Sequence, residues 1–221
     1  MLQKGLEEFL RIFAEQSALV ERMVEKAVRA LIEKNEDLAY EVIETDEIEC
    51  NSREKDIEAK AVELITLYAP KAGDMRKIVS IIKANRDLER IGDHAVNIAE
   101  HVLYLIPRRP VKPLIDIPRM AKIATSMIKN SLDAFLQERV DLAREVLKSD
   151  DLVDNLDVQI MRELITYMAS DPAAIERSLR LIFISRNLER IGDLAMNLAE
   201  DVVYFITGDD IKHPILSEEE K

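Results

Sequence analysis

The 221-residue chain is poor in several things that usually signal chemistry. It has one cysteine, three histidines, five glycines, no tryptophan and only 5% aromatic residues. The lone Cys50 excludes an internal disulfide and fits a reducing compartment. There is no Cys pair, no Gly-rich phosphate loop and no nucleophile–base constellation, so neither catalytic nor organic-cofactor residues are assigned. No apolar run approaches the ~18 residues that a membrane span needs. The first thirty residues carry Glu7, Glu8, Arg11, Glu15, Glu21 and Arg22, which leaves no signal-peptide core. A cytoplasmic protein, peripheral to a membrane at most, is expected. Acidic residues outnumber basic ones 43 to 31, for a net charge of −12 and a pI near 4.9. Such a polyanion repels a phosphate backbone, so nucleic acid is not an expected partner.

What is present is mostly helical in character: 48% hydrophobic and 33% charged residues, enough for one large domain or two small ones. Residues 86–100 read RDLERIGDHAVNIAE and residues 186–200 read RNLERIGDLAMNLAE, the same segment 100 positions apart. A duplicated fold needs only its apolar pattern repeated. Here the acidic residues are repeated too.

Apolar positions Leu6, Phe9, Phe13, Val20, Val24, Ala27 and Leu31 make one helical stripe over 2–33, with a break at Asn35. A second helix is predicted over about 37–68, ended by Pro70, and a third over about 74–105. Pro107, Pro110 and Pro113 then form a linker. The pattern restarts with helices over about 117–136, 138–168 and 173–206. Ser170 or Asp171 can cap the last of these, with Pro172 at its first position. No strand is predicted. The expectation is an all-α chain of two tandem three-helix bundles, at 1–106 and 117–207, joined by a linker at 107–116 and followed by a polar tail at 208–221.

At about 100° per residue, Arg86, Glu89, Asp93, Asn97 and Glu100 share one face of the third helix. That line continues into Ile78 and Ile82, so it should meet the bundle interior or its rim. Lys83, Asp87, Arg90, His94 and His101 share another face, read as the solvent side. On the second helix of each half, Glu47, Asn51, Glu54 and Glu58 run into Ala61 and Ile65, and Asp150, Asp154 and Asp157 run into Met161 and Leu164. Measured from the turns at 70–71 and 171, Glu47, Asn51 and Glu54 stand level with Glu89 and Asp93. Asp150, Asp154 and Asp157 stand level with Glu189 and Asp193. Four or five carboxylates should therefore converge in each half.

Neighbouring carboxylates raise one another's pKa and cost several kcal/mol each to desolvate. Protonation, pairing with Arg86 and Arg186, or a bound hard cation would each relieve them. One arginine does not neutralise four carboxylates. Gly92 and Gly192, flanked by the motif acids, imply the close approach of another backbone at a cost of about 1 kcal/mol in helix propensity. No histidine falls on a carboxylate stripe, so the Glu-x-x-His pattern of ferritin-like di-iron bundles is absent. The methionines fall at core spacing and read as packing. Opposite Lys83 and His94, the second half has Phe183 and Leu194, an apolar pair expected to be covered.

The doubled Leu-Glu-Arg-Ile-Gly-Asp, each followed by Ala-x-Asn, and the stretch from Tyr68 to Arg76 resemble the PhoU family over essentially the whole chain. The resemblance implies a phosphate-signalling regulator of bacteria and archaea built from paired three-helix bundles. It implies metal ions, iron among them, held by Glu89 and Asp93 with Glu47, Asn51 and Glu54, and by Glu189 and Asp193 with Asp150, Asp154 and Asp157. The residues do not select among iron, zinc, manganese and magnesium. It also implies negative regulation of the phosphate response through the ATPase of the phosphate ABC transporter and a phosphate-sensing histidine kinase, with a homodimer as the expected assembly. The chain departs from the pattern where Asn51 stands opposite Asp154, an alignment that can slip to Asp46, and where the second half lacks the Ala-Gly-Asp-Met-Arg opening. Two other readings remain at this stage: a metalloenzyme with a carboxylate-bridged multinuclear cluster, and a helical scaffold whose acids are tied up in ionic networks.

Overall fold

The computed structural model describes residues 1–208. Helix α1 spans Leu2–Glu33, and its apolar stripe is buried from Leu6 to Leu31. It ends where Lys34 enters the left-handed region at φ 53°, and Asn35 caps the next helix by accepting from the Leu38 N–H at 3.2 Å. That next arm is helical throughout but not uniform. A short α2 (Glu36–Glu41) passes through a π-helical turn (Val42–Asp46) into α3 (Glu47–Tyr68). The turn inserts a wider register just before Glu47, and a period-3.6 pattern alone does not reveal it. Lys26 of α1 holds it, bonding Asp46 at 2.8 Å and Glu41 at 2.6 Å.

Helix α4 spans Ala72–Leu105, α5 Asp116–Gln137, α6 Val140–Ser170 and α7 Ile175–Thr207. The break before α7 is a 3-10 turn at Pro172–Ala174, with Asp171 accepting from the Ala173 N–H at 3.0 Å. Among the described residues there is no strand. The expected tail lies outside the described residues beyond Gly208, which ends α7 at φ 82°. Helices α1, α2–α3 and α4 make one three-helix bundle; α5, α6 and α7 make the other.

The halves pack through α4 against α7 and α1 against α5. His94 bonds Asn187 and His101 faces Arg180, so moving seven residues forward on α4 moves seven back on α7. The two helices are antiparallel, as a twofold relation between the repeats requires. One apolar core runs through both halves. A row of rings, Phe13–Phe135 at 5.2 Å and Phe135–Phe205 at 5.5 Å, ties α1, α5 and α7 together. Burying a phenylalanine contributes about 1.5–3 kcal/mol.

Two expectations change. The face bearing Lys83, Asp87, Arg90, His94 and His101 is not simply a solvent side. Its His94 and His101 are half-buried against α7, because a charged face can pack when its partner helix supplies polar groups such as Asn187. The proline-rich linker is not a free spacer either. Lys112 is almost fully buried and pairs with Asp116 at 3.1 Å and with Glu163 of α6.

Candidate metal centre

Gly92 and Gly192 set the geometry of both carboxylate stripes. A Cβ on Gly92 would lie 3.2 Å from the Cys50 Sγ; one on Gly192 would lie 3.3 Å from Val153 Cγ1. Each glycine thus lets the second helix of its half approach α4 or α7 closely. The pairing of Gly92 with Cys50 and Gly192 with Val153 fixes the register. Glu47 corresponds to Asp150, Asn51 to Asp154, and Glu54 to Asp157.

In the second half, Asp150, Asp154 and Asp193 each offer an oxygen within 4.8 Å of the others. Asp150 is partly buried and its Oδ1 has no hydrogen-bond partner. Burial, together with Asp154 and Asp193, pushes its pKa up to about 6. Burial and Asp193 raise Asp154 as well. Three hard oxygen donors with an unsatisfied buried atom are the donor set that Mg2+, Mn2+ or iron prefers, so the residues fit a cation.

Asp157 does not join them. It is nearly fully buried, accepts from Ser185 Oγ at 2.6 Å and pairs with Arg186 at 3.1 Å. The arginine of the motif is thus used to satisfy one buried carboxylate. Glu189 stands beside Arg186 at 3.8 Å and Arg190 at 3.5 Å, and burial and Asp193 still raise its pKa. Arg190 also reaches Asp193 at 3.2 Å.

The first half gathers its acids more loosely. Glu47, Glu54 and Glu89 are partly buried, and Asp93 is exposed. Burial is the largest cause of the raised pKa of each of the three glutamates, and Asp93 adds to all of them. They therefore share one electrostatic neighbourhood. No three of them come together as Asp150, Asp154 and Asp193 do. Asn51 supplies an amide where Asp154 supplies a carboxylate, and Asn85 Nδ2 donates to the Glu54 carbonyl at 3.1 Å. The expected convergence of four or five carboxylates is met by three in the second half and by none so tightly in the first.

Cys50 is buried, its thiol pushed up to about 12 chiefly by burial, and it accepts from Gln16 Nε2 at 3.1 Å. It packs the close approach of α3 to Gly92. Pairing with Arg186 is one of the expected ways to relieve the carboxylates; the π-helical turn and the Ser185 bond to Asp157 are the features the sequence pattern does not carry, with Asp46 beside Glu47 the one hint of an altered register.

Among the described residues no helix is long and apolar enough to cross a membrane. The PhoU domain model matches residues 13–102 and again 117–202. The phosphate-specific transport system accessory protein PhoU homolog of Aquifex aeolicus is 41% identical over 98% of both chains. That of Pseudomonas putida is 38% identical over 94% of this chain and 81% of its own. The crystal structure of PhoU from Pseudomonas aeruginosa superimposes with a TM-score of 0.91 at 36% identity, covering 95% of this chain and all of that one. The phosphate transport system regulatory protein PhoU from Streptococcus pneumoniae gives 0.87 at 28% identity, covering 96% and 99%. With two matched domains, close relatives along its length and the same helical architecture, the chain belongs to the PhoU family.

Proposed function

We propose that this protein is a negative regulator of the phosphate-starvation response that modulates phosphate uptake. It acts by binding the ATPase of the phosphate ABC transporter and the phosphate-sensing histidine kinase in the cytoplasm, as a homodimer. The observation that carries this reading is the match over both halves to proteins named as accessory to phosphate-specific transport. The two halves, 1–106 and 117–207, act as the binding units, and residues 107–116 set their relation.

Metal ions belong to this reading. Asp150, Asp154 and Asp193 would hold a cation, with Glu189 at the margin; Glu47, Asn51, Glu54, Glu89 and Asp93 would form a weaker site. A bound cation would supply the positive charge that the neighbouring carboxylates lack. The triad lies on a rim where Asp154 is exposed, which suits a regulatory or structural ion better than an enclosed reaction centre.

The test is a deletion strain of the source organism carrying a reporter for phosphate starvation. Loss of the gene should raise the reporter in phosphate-replete medium, and the wild-type chain should restore repression and co-purify with the ATPase subunit. A reporter indifferent to the deletion contradicts the regulatory reading.

A further inference from the structure

The chain carries a net charge of −12, yet four guanidinium groups gather where the two halves join. Arg108 and Arg109 open the linker, and Arg177 and Arg180 lie in the first turns of α7. A concavity of about 360 Å3 between them is lined by Tyr104, Arg108, Arg109, Ala173, Glu176 and Arg177. Arg108, Arg177 and Arg180 are held mainly by rings and carbonyls. Arg108 lies on the Tyr104 ring at 3.5 Å and donates to the Tyr104 carbonyl. Arg180 lies over the same ring at 4.6 Å. Arg177 donates to the carbonyls of Arg109 at 2.7 Å and Ala173 at 3.1 Å, with Asp171 no nearer than 4.0 Å.

Among the described residues, two carboxylates border this cluster. Asp171 caps the turn before α7, and Glu176 stands beside the Tyr104 hydroxyl. Among the described residues, four cations against these two anions leave a local excess of positive charge on an acidic protein. Such an excess repels itself unless an anion joins it. Guanidinium forks match the oxygens of phosphoryl groups two at a time, and positioning them in advance lowers the entropy lost on binding.

The duplication does not account for the cluster. At the positions 100 residues away, Arg108, Arg109 and Arg180 are replaced by Gly208, Asp209 and Ser80. Arg177 corresponds to Lys77, which is tied to Glu138 at 2.7 Å. The arrangement arises once, at the junction. We propose that Arg108, Arg109 and Arg177 form a binding site for a compact phosphoryl polyanion, a pyrophosphate-like group or a phosphomonoester headgroup, which clamps the start of the linker to the first turn of α7. This site is separate from the carboxylate stripes and does not depend on metal.

The test uses the full chain, stripped of metal on a chelating resin, titrated calorimetrically with pyrophosphate at low salt. One saturable site per chain is expected. Arg109→Ala removes a guanidinium that anchors nothing else and should weaken binding about tenfold or more. Arg108→Ala with Arg109→Ala should abolish it, with circular dichroism confirming an unchanged fold. Arg76→Ala, at a distant basic position, should bind as wild type. Flotation with phosphatidylcholine vesicles containing phosphatidic acid separates the two sources. Protein on the vesicles that pyrophosphate displaces identifies a lipid headgroup; saturable pyrophosphate binding without flotation identifies a soluble ligand. The proposal is overturned if neither probe binds saturably, or if Arg109→Ala and Arg76→Ala weaken binding equally, the mark of diffuse charge.

Discussion

Asn51 on α3 stands where Asp154 stands on α6, Glu54 where Asp157 stands, and Asn85 where Ser185 stands. These three exchanges separate the halves more than their backbones do. In the second half, Ser185 and Arg186 take up Asp157, and Asp150, Asp154 and Asp193 converge with Arg190 touching only Asp193, at 3.2 Å. In the first half, Asn85 bonds the Glu54 carbonyl and leaves its carboxylate on the stripe, while an amide stands at position 51. A duplicated motif thus yields two unequal charge clusters. What divides them is the residue that faces the motif arginine, which the motif itself does not contain.

The largest effect that can break this comparison lies where α4 meets α7. Leu194 is buried and its counterpart His94 is half-buried and bonded to Asn187 at 2.8 Å. Leu194→Lys places a charge in the core and should cost about 3 kcal/mol or more, measured by denaturant unfolding. Phe183 is 45% exposed and stacks on His101 at 5.3 Å. Phe183→Lys should therefore cost less than about 1 kcal/mol. Equal costs would mean that the two residues share one burial environment.

Next comes the arginine. Arg186→Ala strands the buried Asp157 carboxylate with Ser185 alone and should destabilise by about 2 kcal/mol. Arg86→Ala, on the looser side, should change stability by less than about 0.5 kcal/mol. A double-mutant cycle of Arg186 with Asp157 that gives no coupling energy contradicts the assignment.

The glycines give a smaller and opposite pair of effects. A Cβ at Gly192 meets the β-branched Val153, whose rotamer is stiff, so Gly192→Ala should lose about 1 kcal/mol. At Gly92 the neighbours are Cys50 Sγ and the flexible Met23 side chain, at 3.2 and 3.4 Å. There the gain in helix propensity, about 1 kcal/mol, offsets the contact, so Gly92→Ala should be neutral or slightly stabilising. Thermal unfolding of the two variants side by side checks the sign.

The smallest effect concerns pH. Asp150 titrates near 6 when folded, chiefly through burial, against 3.8 for an unperturbed aspartate. A raised folded pKa means that its contribution to stability is fully present below pH ~3.8 and is lost as pH rises through ~6. Metal-free protein should then melt lower at pH 7 than at pH 5, by on the order of a degree or two. Asp150→Asn should flatten that slope more than Glu47→Gln does, because Glu47 is raised by burial and Asp93 without a comparable cluster. A slope unchanged by Asp150→Asn would place its cause elsewhere.

Much of this was legible from spacing. The apolar stripe of α1, the stops at Asn35 and Pro70 and the Asp171 cap all act through local backbone physics, which a sequence displays directly. The duplicated glycines announced a close helix approach because nothing else justifies glycine in a helix interior. The π-helical turn at Val42–Asp46 was not legible, since its charged partner, Lys26, reaches Asp46 from another helix. The same limit hid the fate of Asp157. A stripe states which acids share a face, but Ser185 and Arg186 decide which of them is free. The polar side of α4 read as solvent-facing because the repeat pattern does not state that α7 will supply polar partners.

We propose that the second-half triad is the stronger of the two candidate cation sites. Its most direct test is calorimetric titration of chelator-stripped protein with Mn2+, comparing wild type, Asp193→Asn and Asp93→Asn. The account predicts a tighter binding event that Asp193→Asn weakens at least about tenfold and Asp93→Asn leaves intact, since losing one carboxylate matters most where three oxygens already converge. Loss of the tighter event in Asp93→Asn, or no saturable binding by the wild-type chain, would contradict it.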